Sequence, residues 1–156
     1  MTTHPGNAPR PISTATESTD VVVEFLRALA AYDVDAALDL VADDLVYSNV
    51  SLPTIYGRDR LERIFRPWLR PGRLGFNVHL NHVAAEENVV LTDRIDELSL
   101  GRFASRFWVY GRFIVGQDDK IAVWRDSFDW LDVTIGNLRG LAGLVSPGLN
   151  RRMPAD

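Results

Sequence analysis

The hydrophobic pattern of the chain changes period twice. Residues 1–16 carry Pro5, Pro9 and Pro11 among Thr, Ser, Gly and Asn. They offer too little apolar surface to fold on, which marks a flexible arm. Apolar residues then recur at helical spacing: Val22, Phe25, Leu26 and Leu29 follow i, i+3, i+4, i+7, with Ser18 or Thr19 placed to cap the helix. A second short helix from about Asp33 turns Val34, Ala37, Leu38 and Val41 inward. Leu45 to Val50 reads as a strand, and Pro53 and Gly57 punctuate a loop. Leu61, Ile64, Phe65 and Trp68 repeat the helical spacing until Pro71 and Gly72 end it.

From Gly75 onward the period is two. Phe76, Val78 and Leu80 alternate with Asn77, His79 and Asn81. Strands follow at about 88–100, 103–115 and 120–130, with turns at Glu86-Glu87-Asn88, Gly101-Arg102 and Gln117-Asp118-Asp119. The last segment, about 131–143, is helical and contains Gly136, Gly140 and Gly143. Helices first and long antiparallel strands afterwards make an α+β pattern. A strongly curved sheet closed over by the N-terminal helices would form a cone with an apolar interior. There is no internal repeat, so residues 17–145 read as a single domain and 146–156 as a C-terminal tail.

Three strands break the apolar pattern with polar residues on the wrong side. Residues two apart in a strand share a face, so Arg94 and Asp96 sit with Val90 and Leu98. In the last strand Ala122, Trp124, Asp126, Phe128 and Trp130 share a largely aromatic face, whereas Asp129 belongs to the other, outer side. Leu45, Tyr47 and Asn49 share a face in the first strand. Taken singly, Asp126 is equally well a buried acid tied to backbone or to an arginine, and Tyr47 a packed ring with its hydroxyl in solvent. Taken together, the segments describe an active site. Tyr47 and Asn49 offer donors and acceptors to hold a water molecule, and Asp126 is the base beside it. Arg94 lies between Asp126 and Asp96, keeping one carboxylate ionised while the other holds a proton. An acid and a base on opposite sides of a substrate suit water addition with protonation of the leaving oxygen.

Composition narrows the alternatives. The 156 residues fit one domain with a sizeable core. Their balance, 46% apolar and 24% charged, is that of a globular protein. A net charge of −4 with scattered basic residues argues against nucleic-acid binding. The absence of cysteine removes disulfides, thiolate metal sites and Cys nucleophiles. No apolar run reaches membrane-spanning length and no signal peptide is visible, so the expectation is a cytoplasmic protein. His79 and His82, three apart in a strand, should face opposite ways and share no metal. Gly136-x-x-x-Gly140 reads as helix packing or a dimer contact. There is no phosphate loop and no nucleophile elbow, and the absence of the elbow disfavours an α/β-hydrolase; no cofactor or metal is expected.

Tyr47-x-Asn49, Arg94-x-Asp96 and the run Trp124 to Asp129, with Pro53 to Gly57 after the first, stand in the order and spacing of the limonene epoxide hydrolase family. The chain resembles that family over about residues 18–145. The resemblance implies a curved mixed sheet of the nuclear-transport-factor-2-like cone type, a homodimer, and one-step hydrolysis of an epoxide to a vicinal diol without a covalent ester. It implies Asp126 as the base, Tyr47 and Asn49 as the groups that position water, Asp96 as the proton donor to the epoxide oxygen, and Arg94 as the bridge. Trp124 and Phe128 beside Asp126, Leu98 beside Asp96, and Phe76, Val78 and Leu80 on the neighbouring strand are the expected lining for a hydrophobic epoxide. Two other readings use the same cone: an isomerase or cyclase of the ketosteroid-isomerase kind, and a non-catalytic module that binds hydrophobic ligands.

Overall fold

A computed structural model describes residues 14–154. Thr14 begins the first helix, α1 (Ala15–Ala30), through a capping box in which its hydroxyl and backbone N–H are satisfied reciprocally by Glu17. The helix therefore starts a turn earlier than Ser18 or Thr19 would place it. Thr14 to Thr16 belong to it rather than to the arm, whose residues 1–13 lie outside the described residues. Short α2 (Val34–Asp39) is capped by Asp33. Val41 is the first residue of strand β1 (Val41–Asn49) and not the end of that helix. A two-residue strand, β2 (Ile55–Tyr56), occupies what the Pro and Gly punctuation had marked as plain loop. It pairs with β1, and two residues are too few to show a period. Helix α3 (Arg58–Trp68) follows, then β3 (Leu74–Glu86), β4 (Val89–Leu100), β5 (Phe103–Val115), β6 (Ile121–Ser127) and α4 (Trp130–Val145). Strand β6 stops short of residue 130 because Asp129 caps α4, its carboxylate accepting from the N–H groups of Leu131 and Asp132. The tail contains a 3-10 turn, Pro147–Leu149, and Asn150 donates to the Ala104 carbonyl at 2.9 Å.

The six strands form one open, curved mixed sheet in the order β2-β1-β6-β5-β4-β3. Only β1 and β6 are parallel. A bulge in β3 between Leu80 and His82 resets the side-chain parity, so that His79 opposite Ile95 and His82 opposite Asp93 share a face. The expectation of opposite faces fails for that reason. Among the described residues no cluster of His, Asp or Glu could hold a metal ion.

Helix α1 lies on the concave face, and its Val22, Phe25, Leu26 and Leu29 are buried with Val90, Phe113, Val115 and Trp124 of the sheet. Phe25 meets the Trp124 ring edge-on at 5.0 Å. Burying each such side chain contributes about 1.5–3 kcal/mol. Helix α4 packs on β5 through two missing side chains: a methyl group on Gly136 would lie 2.7 Å from the Arg106 carbonyl, and one on Gly140 2.6 Å from that of Ala104. The Gly136/Gly140 spacing is thus a packing surface within the chain. Among the described residues no helix is long and apolar enough to cross a membrane.

Candidate active site

The parallel pairing of β1 with β6 sets Tyr47 opposite Trp124 and Asn49 opposite Asp126. Antiparallel pairing through β5 sets Asp126 opposite Gly111 and Gly111 opposite Thr92. Arg94, on β4, shares the concave face with Thr92 and Asp96. The strand between β4 and β6 offers no side chain at Gly111, and the guanidinium occupies that space. A methyl group there would overlap Arg94 Nη1 and Thr92 Oγ1. Glycine inside a strand marks such a close approach.

Arg94 is completely buried. Its Nε donates to Asp96 Oδ1 at 2.9 Å, Nη2 to Asp96 Oδ2 at 3.3 Å and Nη1 to Thr92 Oγ1 at 3.0 Å. Nη2 is also 2.7 Å from Asp126 Oδ2. The Phe113 ring closes the site beneath it, 6.0 Å from the guanidinium carbon. The one cation therefore bridges two carboxyl groups, both below a tenth exposed.

Burial raises the proton affinity of both acids. Asp96 is pushed up to about 6 by desolvation, against the pull of Arg94 and with the charge of Asp126 adding to the rise. Asp126 is also raised by desolvation, which outweighs Arg94. The Trp124 indole N–H weakly favours its ionised form, although its geometry falls short of a hydrogen bond. For Arg94 desolvation alone would favour the neutral form, but the two carboxylates more than offset it and hold the guanidinium charged. Both acids lie on one guanidinium and act on each other's charge, so they titrate as a pair, each held more readily protonated than an exposed carboxyl.

Tyr47 accepts a hydrogen bond from Asn49 Nδ2 at 2.6 Å, which leaves its own O–H free to donate. Burial, and then the Asp126 charge, raise its pKa, so the phenol stays protonated. Its ring stacks on Trp124 at 3.9 Å, and Phe65 meets both rings edge-on. Asp126 Oδ1 is buried without a hydrogen-bond partner.

Tyr47, Asn49, Asp96 and Asp126 line a cavity of about 620 Å³, whose walls are otherwise mainly apolar, with Arg94 buried behind the two acids. That size suits a small organic ligand. Of the residues expected to line it, Phe76, Leu98, Trp124 and Phe128 do. Val78 and Leu80 do not: they pack against the hydrophobic core where α1 covers β3. Ile64 and Trp68, at helical spacing on α3, are 41% and 57% exposed while still lining the cavity. Sequence reasoning missed Thr92 and Gly111. Thr92 had the parity of Arg94, and Gly111 interrupts an aromatic-rich strand, so both left a signal. It also missed Phe65, Ser105 and Phe107 in the walls, which nothing in the pattern separates from ordinary core.

The family model for the limonene-1,2-epoxide hydrolase catalytic domain matches residues 16–139. The chain belongs to the limonene epoxide hydrolase family. It is 42% identical over 128 residues to epoxide hydrolase EphG of Mycobacterium tuberculosis, which covers 82% of this chain and 84% of that protein. It also superposes with a TM-score of 0.84 on a solved M. tuberculosis LEH-like epoxide hydrolase, 40% identical, with 89% of this chain and 97% of that one covered. Membership makes the protein an epoxide hydrolase on a cone-shaped fold. The isomerase, cyclase and binding-module readings give way to it.

Proposed function

We propose that this hydrolase opens a hydrophobic epoxide in one step, with water as the nucleophile and a shared proton as the catalyst. The observation that carries the reading is the Asp96–Arg94–Asp126 bridge in the wall of an apolar cavity, beside the Tyr47–Asn49 pair. A water held by the Tyr47 hydroxyl, the Asn49 amide and Asp126 Oδ1 attacks a ring carbon, and Asp126 takes its proton. The C–O bond breaks as the epoxide oxygen takes the proton of Asp96. The product is a vicinal diol, and the pair ends with its proton on the other carboxyl. Return of that proton to Asp96 resets the enzyme. Ring strain supplies driving force, so the protein has only to orient water, donate a proton and exclude bulk solvent. Asp126 is assigned the base role because Asn49 is its cross-strand neighbour; Asp96 has the Arg94 fork on its other side and faces Phe107 and Leu98. No metal or organic cofactor enters these steps.

Assay of diol formation from a panel of epoxides, from terpene to steroid, tests the reading. Turnover of apolar members is expected; failure on every member contradicts it.

A homodimer is the matching assembly. Trp108, Tyr110 and Leu131 are 45%, 60% and 67% exposed on the outer side of β5 and at the start of α4, a patch of the kind that interfaces cover. Light scattering should give twice the chain mass, and Tyr110→Arg should shift it to the monomer. A cysteine-free chain fits the reducing cytoplasm.

A further inference from the structure

The cavity has a second polar feature that the ring-opening chemistry leaves unused. Ser105, on β5, is 2% exposed, lines the cavity, and its Oγ has no hydrogen-bond partner. Its neighbours on the concave face are apolar: Leu98 across the strand pair and Phe103 and Phe107 along it. A lone hydroxyl in such a wall is costly, and alanine would fill the position without that cost. Helix α4 passes directly over it. A methyl group on Gly136 would sit 3.2 Å from Ser105 Oγ, and the next residue, Asn137, also lines the cavity. The helix face that lines the cavity otherwise carries Trp130 and Val133.

Ser105 stands in a fixed relation to the acid. Asp96 is paired with Phe107, so Ser105, two residues along β5, is its diagonal neighbour. Diagonal neighbours on one face are about 7–8 Å apart. The cavity thus offers a carboxyl at one point and a hydroxyl at a fixed position along the same face, with Asn137 also in a mainly apolar wall.

Resting on the epoxide hydrolase mechanism above, we infer that Ser105 and Asn137 form a subsite for a second oxygen function, and that the preferred substrates are epoxides carrying a hydroxyl or carbonyl several bonds from the ring. A site built to hydrogen-bond an oxygen group discriminates against the analogue lacking it, because its own polar group is then left unpaired. Ser105 and Asn137 select and orient the substrate and take no part in bond making.

The test uses 1,2-epoxyoctane and the same epoxide with a hydroxyl at the far end of the chain. The wild-type protein should favour the hydroxylated epoxide in kcat/KM, and Ser105→Ala should lower its kcat/KM about tenfold, mainly through KM. The plain epoxide should be unaffected or slightly better used. Asn137→Ala, at an exposed helix position, should act in the same direction more weakly. Equal losses on both substrates would show that Ser105 is structural, and no loss on either would show that it meets no substrate oxygen; each result overturns the subsite. Binding of both compounds, followed by fluorescence of the cavity tryptophans, separates this proposal from the mechanism. If neither epoxide is opened, the hydrolase reading fails, while a preference in binding that Ser105→Ala abolishes still supports the subsite. Equal binding of the two compounds to the wild-type protein overturns it.

Discussion

The same three groups occur twice in this molecule, once in the interior and once on the surface. Arg94 bridges Asp96 and Asp126 at 2.9 and 2.7 Å. Arg66 bridges Asp35 and Glu62 at 2.6 and 2.8 Å. The distances barely differ, yet the consequences have opposite sign. On the surface, the hydrogen bond and charge of Arg66 hold the Asp35 carboxyl below its usual range. In the interior, desolvation outweighs the guanidinium and raises both acids. Burial, and not the pairing, decides whether such a triad stores a proton. An exposed triad is a screened contact of little consequence; a buried one has its acids shifted toward the protonated form, the condition that the proposed acid–base chemistry uses.

The largest contrast should come from the carboxyls. Asp126→Asn and Asp96→Asn should each lower kcat by about 10²- to 10⁴-fold, whereas Asp35→Asn should leave steady-state rates unchanged. Near-normal turnover in either buried variant would remove its assigned role. Next come the guanidiniums. Arg94→Gln leaves two buried acids without their cation and should cost about 3–5 kcal/mol in denaturant unfolding besides abolishing most activity. Arg66→Gln should move neither midpoint nor rate. An intermediate effect is expected from Gly111→Ala, which touches no substrate but takes the space of Arg94 Nη1. Displacing the bridge by about an ångström should cost about 10²-fold in kcat with KM little changed. Wild-type kinetics in this variant would show that the guanidinium need not lie over β5.

These predictions also separate what the sequence showed from what it hid. Strand parity was enough to put Arg94, Asp96, Asp126, Tyr47 and Asn49 on concave faces, because a period of two is read directly from the chain. The α+β order and the helix faces of α1 were legible for the same kind of reason. The β3 bulge was not, since one extra residue flips parity without any signal in composition; His79 and His82 were misplaced by it. Val78 and Leu80 shared the face of the site residues but not their surroundings, because parity says nothing of which part of a face a helix covers. The early start of α1 was hidden by a polar run in which several residues could cap, and only Thr14 has Glu17 three positions on.

The smallest expected effect is on pH dependence. Activity should follow a bell, falling on the acid side as the buried pair takes a second proton and on the alkaline side as it loses its last. Stability should carry a matching signature. Asp96, at about 6 in the folded protein against 3.8 ordinarily, binds its proton more tightly when folded. Its contribution is complete below the lower value and is lost as pH rises through the higher one. Urea titrations from pH 4 to 7 should therefore show a downward slope that is shallower in Asp96→Asn, where Asp126 alone remains raised. Asp35 has the reverse sign: its small contribution is present at neutral pH and lost on acidification.

Single-turnover reaction in ¹⁸O-water bears most directly on the use of this buried proton. If Asp126 activates water that attacks the ring itself, the heavy oxygen appears in the diol in the first turnover and the protein stays unlabelled. Label on an aspartate carboxyl, with ordinary oxygen in the first diol formed, would mean a covalent ester and would contradict the mechanism.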